Sequence, residues 1–401
     1  MDCRIHFADN LRAVAMLLGI CLHAAVSFTV YPGGWPTKDV STHVGFDLFV
    51  VFLHAFRLPT FFLITGFFAR LLYHRLGTAA FVRHRAKRIL VPLLVGTVTI
   101  VPLIQAVGIY GAAASAPADA RPDTFKAVAG HFLYGGYLRN LDPAHLWFLY
   151  YLLYFYAFAI LLALVSGGAR AQWALRAADA FIRRASRSWW KPFALAAFTL
   201  PTLYLMRTLN SDSPSGFVVE AKILAFYGVF FCFGWLLQRQ PALIPEFGRG
   251  AWLYLAAGAL AAFPAYVMFL YRPGAPGALE KFVALSAYAL TVWLLTLGLL
   301  GVFIRYFDSP RAGVRYVADS SYWLYLIHYP LVGYLQVLFA GLPLPAVVKF
   351  LLILAISVPL LLASYHFGVR YTWVGEFLNG KVRRAAGAAL PPADPATQPT
   401  G

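Results

Sequence analysis

The chain has 401 residues, of which 61% are hydrophobic and 12% charged, against roughly 25% charged in an ordinary soluble domain. That much apolar side chain cannot be hidden in one soluble core, so lipid must solvate part of the surface, and a water-soluble enzyme is excluded. The net charge of +17 would suggest nucleic acid in a soluble protein, but here the basic residues sit in short stretches between apolar runs, the signature of membrane orientation, and no nucleic-acid partner is expected.

Ten apolar segments approach the ~20 residues that cross a bilayer: 10–30, 44–72, 89–110, 145–165, 192–206, 217–237, 251–271, 282–304, 321–340 and 346–369. The expected fold is therefore an all-α polytopic membrane protein with about ten transmembrane helices. It occupies residues 5–375 as one domain with the bilayer as its solvent. With the N-terminus in the cytoplasm, ten spans put 22 Lys and Arg residues on the cytoplasmic side and 9 outside, and leave Arg12 and Arg57 within spans. That bias predicts both termini in the cytoplasm, and the expected location is the bacterial inner (plasma) membrane. The Ala- and Pro-rich tail, 376–401, is expected to be cytoplasmic and disordered. Arg12 and His23 argue against reading the first span as a cleaved signal peptide. The outer loop 111–144 is long enough for a small cap over an opening. Cys3, Cys21 and Cys232 lie too far apart in sequence to suggest a disulfide framework or a zinc site, and no metal is expected.

Ionisable residues within spans are costly and point to function. In the first span Asp9-Asn10-Leu11-Arg12 is followed, ten residues on, by His23. Eleven residues are about three turns, so Arg12 and His23 share a face ~16 Å apart, with Arg12 at the cytoplasmic rim and His23 deep. An arginine at an entrance can hold phosphate or carboxylate, and a neutral imidazole at depth can take a proton from a hydroxyl. Equally, Arg12 could snorkel to headgroups and His23 bond a neighbouring helix. In the second span His54 and Arg57 are three residues apart, hence on one face, ahead of Pro59, which can kink the helix. Arg57 lies near mid-depth and needs an anion or several acceptors. A structural pair with Asp47 or Glu220 is the alternative.

The run Arg83-His84-Arg85-Ala86-Lys87-Arg88 reads either as an orientation signal or as a phosphate-binding rim, and spacing does not separate the two. His145-Leu146-Trp147 opens the fourth span, and the ninth carries Ser321-Tyr322-Trp323-Leu324-Tyr325-Leu326-Ile327-His328-Tyr329-Pro330. His145, Trp147 and His328 read as secondary or structural residues. There is no Walker loop, dinucleotide-binding glycine pattern, HExxH or GxSxG, which argues against an ATPase and a serine hydrolase.

Asp9-x-x-Arg12-x10-His23, Phe62-Leu63-Ile64-Thr65-Gly66-Phe67-Phe68, Arg85-x-x-Arg88-Ile89-Leu90-x-Pro92, His145-x-Trp147 and Ser321-Tyr322-x-x-Tyr325-Leu326-x-His328-x-Pro330 occur in that order over residues 5 to 375. In this order the sequence resembles the membrane-bound acyltransferase-3 family, and the His54-x-Phe56-Arg57-x-Pro59 and His145-Leu146-Trp147-Phe148-Leu149 versions resemble its glucan-biosynthesis branch. The resemblance implies a ten-helix acyltransferase domain, an acyl-coenzyme A donor reached from the cytoplasm and an acceptor hydroxyl on the outer side. It makes Arg12 and His23 the Arg-x10-His pair that carries the catalytic histidine. For the glucan branch it implies O-succinylation, or a similar acylation, of a periplasmic glucan. The sequence departs from many family members in having Leu152 where they carry a glutamate, so no role of that acid is transferred.

With the resemblance added, Arg85, Arg88 and Arg12 are expected to hold the phosphates of coenzyme A as co-substrate, with no permanently bound cofactor. His23 acts as general base, Arg57 stabilises an oxyanion or pairs with the free carboxylate of a succinyl group, and His54 orients Arg57 or relays a proton. The alternative is a transporter of an anionic glycan or lipid precursor using the same buried Arg and His, against which stands the lack of two matching halves with interrupted helices.

Overall fold

A computed structural model describes residues 5–379 except 32–34, 36, 118, 120–121, 166–167, 215 and 310. Among the described residues all regular structure is helical, as lipid demands, since a helix satisfies its own backbone polar groups. The main elements are α1 (His6–Ala25), α2 (Val44–Leu76), α3 (Thr78–Ala114), α4 (Ala144–Val165), α5 (Ala169–Ser186), α6 (Lys191–Tyr204), α7 (Ala221–Arg239), α8 (Ala251–Leu270), α9 (Ala278–Tyr306), α10 (Ala312–Phe339), α11 (Ala346–Val369) and α12 (Trp373–Asn379). Each of the ten expected spans falls on a helix. Eight helices among the described residues are long and apolar enough to cross a membrane. The other two segments are α6, whose 14 residues reach only ~21 Å, and α10, whose 28 residues include Arg315, Asp319 and His328.

Two details differ from the sequence expectation. The basic run 83–88 is not a loop but the first turns of α3, which follow α2 after the single residue Gly77. Its φ of 75° is a left-handed value that glycine adopts without penalty, so α2 stops and α3 starts across one residue. The run then passes through a wide π-type turn at Ala86–Leu90, a local unwinding often found at functional sites. The sixth span begins at Ala221, because the described residues between 205 and 220, which include Asn210, Asp212, Pro214 and Gly216, form no regular helix. The outer loop does build a cap, from helices Thr124–Leu133 and Gly136–Arg139. It seats against α3, where Gln105 bonds both the Asn140 carbonyl and His131. Residues 380–401, most of the expected tail, lie outside the described residues, and 376–379 complete α12.

The bundle is held by close helix contacts. α2 runs along α7 and α1 along α10. A Cβ at Gly66 would overlap the Phe231 carbonyl, and one at Gly234 the Leu63 carbonyl, so these two glycines let α2 and α7 touch backbone to backbone, as small residues do between membrane helices. Aromatic packing fills the rest, with Phe230 stacked on Trp293 at 4.4 Å and Phe62 against Tyr227 at 4.6 Å.

Candidate functional site

α1 presents Arg12 and His23 to two different cavities. The first, about 920 Å³, opens at the basic end of the bundle. Its cationic lining comes from α1 (Arg12), the end of α2 (Arg75), the π-turn region of α3 (His84, Arg85, Arg88) and α10 (Arg315). Of the run 83–88, therefore, His84, Arg85 and Arg88 line the cavity. Asp9 pairs with Arg12 at 3.3 Å, and Arg12 also reaches the Ala318 carbonyl at 3.5 Å. Arg85 donates to the Tyr156 hydroxyl at 3.3 Å and lies over its ring. Arg88 donates to the Leu378 carbonyl of α12, and Tyr322 donates to the Arg88 carbonyl at 2.6 Å. Leu152, at the position of the missing glutamate, is part of this cavity's apolar wall.

The second cavity, about 620 Å³, holds His23, His54, Arg57, His145, Trp147 and His328. Sequence reasoning weighed His145 and His328 as structural, yet their rings line the same cavity as His23, His328 against His23 and His145 against His328. His23 and His328 are 5.2 Å apart by ring centroid, as are His145 and His328, and Tyr329 lies between, 5.0 Å from His23 and 5.1 Å from His145. Each histidine has one ring nitrogen engaged or free in a definable way. His145 Nε2 meets the Leu326 carbonyl at 3.1 Å, and His328 Nδ1 meets the Tyr325 carbonyl at 2.8 Å. Nδ1 of His23, Nδ1 of His145, Nε2 of His328 and Nε of Arg57 are buried without a protein partner.

Arg57 is not in the structural pair considered from sequence. Asp47 instead accepts from the Val30 and Tyr31 N–H groups, and Glu220 pairs with Arg207 and Lys222. The Arg57 guanidinium lies across α1 at Gly19, where any Cβ would strike it, one turn from His23. His54 Nε2 meets the Ser211 carbonyl at 3.1 Å, which ties α2 to the loop before α7, and its ring lines the same cavity as Arg57. Asp142, Ala144, Ser213 and Pro214 also line the cavity, and the cap helices do not.

Local backbone strain marks the entry to α4. Ala144 has φ 46°, unusual for a residue with a Cβ, and the strained turn is held by Asp142, whose two carboxylate oxygens accept from the N–H of Ala144 at 2.6 Å and of Gly216 at 2.7 Å. Such outliers persist only where surroundings over-determine them. Here the turn fixes the residue before His145.

The two cavities share four lining residues, Met16, Phe61, Phe148 and Tyr325. A thin apolar septum thus separates a cationic chamber from one that combines imidazoles with a guanidinium. The first suits a polyanion, and the second suits proton transfer beside a developing or fixed negative charge. The sequence pattern names Tyr325 and Tyr329 only as members of the ninth-span run, and it does not single out Trp35, Gln336 or Asp142. Gln336 carries a usable sequence signal, an amide in an apolar run.

A family model for an acyltransferase domain, the acyltransferase-3 model, matches residues 5–366. Glucans biosynthesis protein C of Salmonella paratyphi B is 26% identical over 340 residues, covering 82% of each chain, and its counterparts in Salmonella choleraesuis and Salmonella heidelberg are equally similar. No solved structure matches.

Proposed function

The chain belongs to the acyltransferase-3 family, and from that premise we propose that this multi-pass membrane acyltransferase moves an acyl group from cytoplasmic acyl-coenzyme A to hydroxyls of a periplasmic glucan. The reading is carried by the placement of His23 and Arg57 together in one chamber, separated by only four side chains from a cationic chamber at the other end of the bundle. The inner membrane is its site, with the basic end cytoplasmic, as the 22-to-9 distribution of Lys and Arg favours.

In this reading coenzyme A keeps its phosphates at Arg12, Arg85 and Arg88, because a polyanion does not enter lipid. The pantetheine arm passes the septum and brings the thioester to His23. A ring nitrogen of His23 takes the proton of the acceptor hydroxyl as its oxygen attacks the thioester carbonyl. Arg57 faces the oxyanion that forms, or the free carboxylate when the group is succinyl. Collapse of the adduct breaks the C–S bond, and the departing thiolate takes the proton back from His23, so ester and thiol are the products. His145 and His328 keep the pocket polar around His23, and Trp147 and Asp9 serve as supports, Asp9 by holding Arg12. Glucans biosynthesis protein C, similar along 82% of its length, supports the glucan as acceptor.

The test is mass spectrometry of periplasmic glucans from a deletion strain complemented with wild type or with His23→Ala at equal membrane level. Wild type should add a fixed mass per acyl group and the variant none, and the increment names the donor. Full modification with both removes His23 from the chemistry. Absence of glucan from the periplasm of the deletion strain would favour transport of an anionic precursor instead.

A further inference from the structure

We infer that Gln336 is a positioning residue for His23, acting on its backbone directly and on its ring through Trp35. Gln336 belongs to α10, and its side chain is 1% exposed. Its amide nitrogen donates to the carbonyls of His23, at 2.9 Å, and Ala24, at 3.1 Å. Its amide oxygen accepts the indole N–H of Trp35 at 2.6 Å. The surroundings fix which end is which, since carbonyls only accept and an indole N–H only donates.

The need for such a residue follows from where His23 stands. α1 ends at Ala25 and passes into a single 3₁₀ turn, Val26–Phe28, and where an α-helix gives way its last carbonyls lose their i+4 partners. In an apolar interior each unmet carbonyl is costly, and a last turn without partners frays. Gln336 supplies two of those partners from the neighbouring helix, at the residue that bears the imidazole and at the next. The third bond reaches the other side of the same group. Trp35 comes from the segment after α1 and stacks on the His23 ring, with centroids 5.4 Å apart and planes 23° apart. The same indole packs on Tyr329 at 4.6 Å. One buried amide therefore sets the height of His23 at the end of α1 and the ring that limits its rotation. An apolar isostere of Gln336 would keep the volume and lose all three bonds.

The inference rests on the reading of His23 as general base, and two measurements keep their failures apart. The first is acyl transfer by the full-length protein in proteoliposomes, with succinyl- or acetyl-coenzyme A as donor and a linear β-glucan oligosaccharide as acceptor. A misplacement of about 1 Å at a reacting group costs about 10²-fold in rate, so Gln336→Met should lower kcat by tenfold to a hundredfold while the donor KM, set in the other cavity, stays within twofold. Trp35→Phe keeps the stacking ring and removes the N–H, so it should lower kcat less, and in the Gln336→Met background it should add little, because their shared bond is already gone. A wild-type kcat in Gln336→Met, or effects of the two changes that simply multiply, would overturn the inference.

The second measurement needs no turnover. Carbethoxylation of His23 by diethyl pyrocarbonate, followed by peptide mass spectrometry, should be several-fold faster in Gln336→Met than in wild type, with His131 of the outer cap as the internal reference. Equal rates would overturn the positioning role. If wild type transfers neither acyl group but His23 reactivity still depends on Gln336, the acyl-transfer reading falls and the positioning role stands.

Discussion

Lys349 and Asp39 form an ion pair that is almost wholly withdrawn from solvent, with side chains 0% and 2% exposed and 2.7 Å between Nζ and Oδ1. Asp39 also accepts the Ser41 N–H at 2.7 Å, and its own N–H donates to the Ser27 carbonyl at 2.9 Å. Ser41 in turn accepts from the N–H of Ala346, the first residue of α11. The pair thus ties the segment bearing Trp35 to α11. Lys349→Met would leave a buried carboxylate with one backbone N–H for company, and breaking such a pair on one side costs about 3–5 kcal/mol. Against the 5–15 kcal/mol that typically holds a fold together, that is a large loss. Replacing both partners removes the stranded charge, so Asp39→Asn with Lys349→Met should recover most of it and lie within about 1–2 kcal/mol of wild type. The assay is denaturant unfolding of the purified protein in detergent, read by intrinsic fluorescence on all four proteins of the cycle. A single variant within about 1 kcal/mol of wild type, or a double variant less stable than Lys349→Met alone, would refute the account, since either means the charge is hydrated or otherwise compensated.

Gly19→Ala places a methyl group where the Arg57 guanidinium lies. A flexible side-chain end can swing away, so the protein should fold with a near-normal melting temperature and lose roughly 10²-fold in transfer rate as Arg57 leaves the cavity; normal activity would mean Arg57 is not needed there. Gly66→Ala meets the Phe231 backbone instead, which cannot swing, and should cost about 1–3 kcal/mol as α2 and α7 part, read as a lowered melting midpoint. In the 205–220 loop, burial opposes ionisation of Asp212, but the Arg207 N–H, the Lys222 ammonium and the Thr208 hydroxyl together hold its carboxyl below the usual 3.8. A depressed carboxylate stabilises the fold at pH above its unfolded value and loses that contribution as pH falls through the folded one. Hydrogen exchange of residues 206–220, corrected for intrinsic rate, should therefore show protection that is steady above pH 4 and fades below 3.8, with Asp212→Asn unprotected throughout. A pH-independent wild type would sink this.

The helices were legible because lipid leaves the chain few options: apolar length and the placement of Lys and Arg suffice to find spans. His23 and Arg57 were legible for the complementary reason, that ionisable groups in such runs need an explanation. What spacing along one helix could not supply was which residues of distant helices meet. His145 and His328 are 183 positions apart, and nothing local tells that the first ring packs on the second, and the second on His23. The pairing of Arg57 with Asp47 or Glu220 was reasonable by charge, but each acid is already engaged in its own loop. Gly66 was noticed only as part of a pattern, and its physical reason, a backbone contact with Phe231, exists only once α2 and α7 are packed.

The four side chains common to both chambers, Met16, Phe61, Phe148 and Tyr325, bear on the cell's energy supply as well as on acyl transfer. A bacterial membrane stores a proton gradient, and two openings that nearly meet end to end are a short circuit held off by a few apolar rings. Trimming Met16 and Phe148 to alanine together should let ions through, seen as dye-reported proton leak in proteoliposomes and as slowed growth on respiratory substrates. Under the proposed reaction, the bulk of these residues answers two opposing demands: wide enough for a slender thioester arm, too tight and too greasy for a file of water.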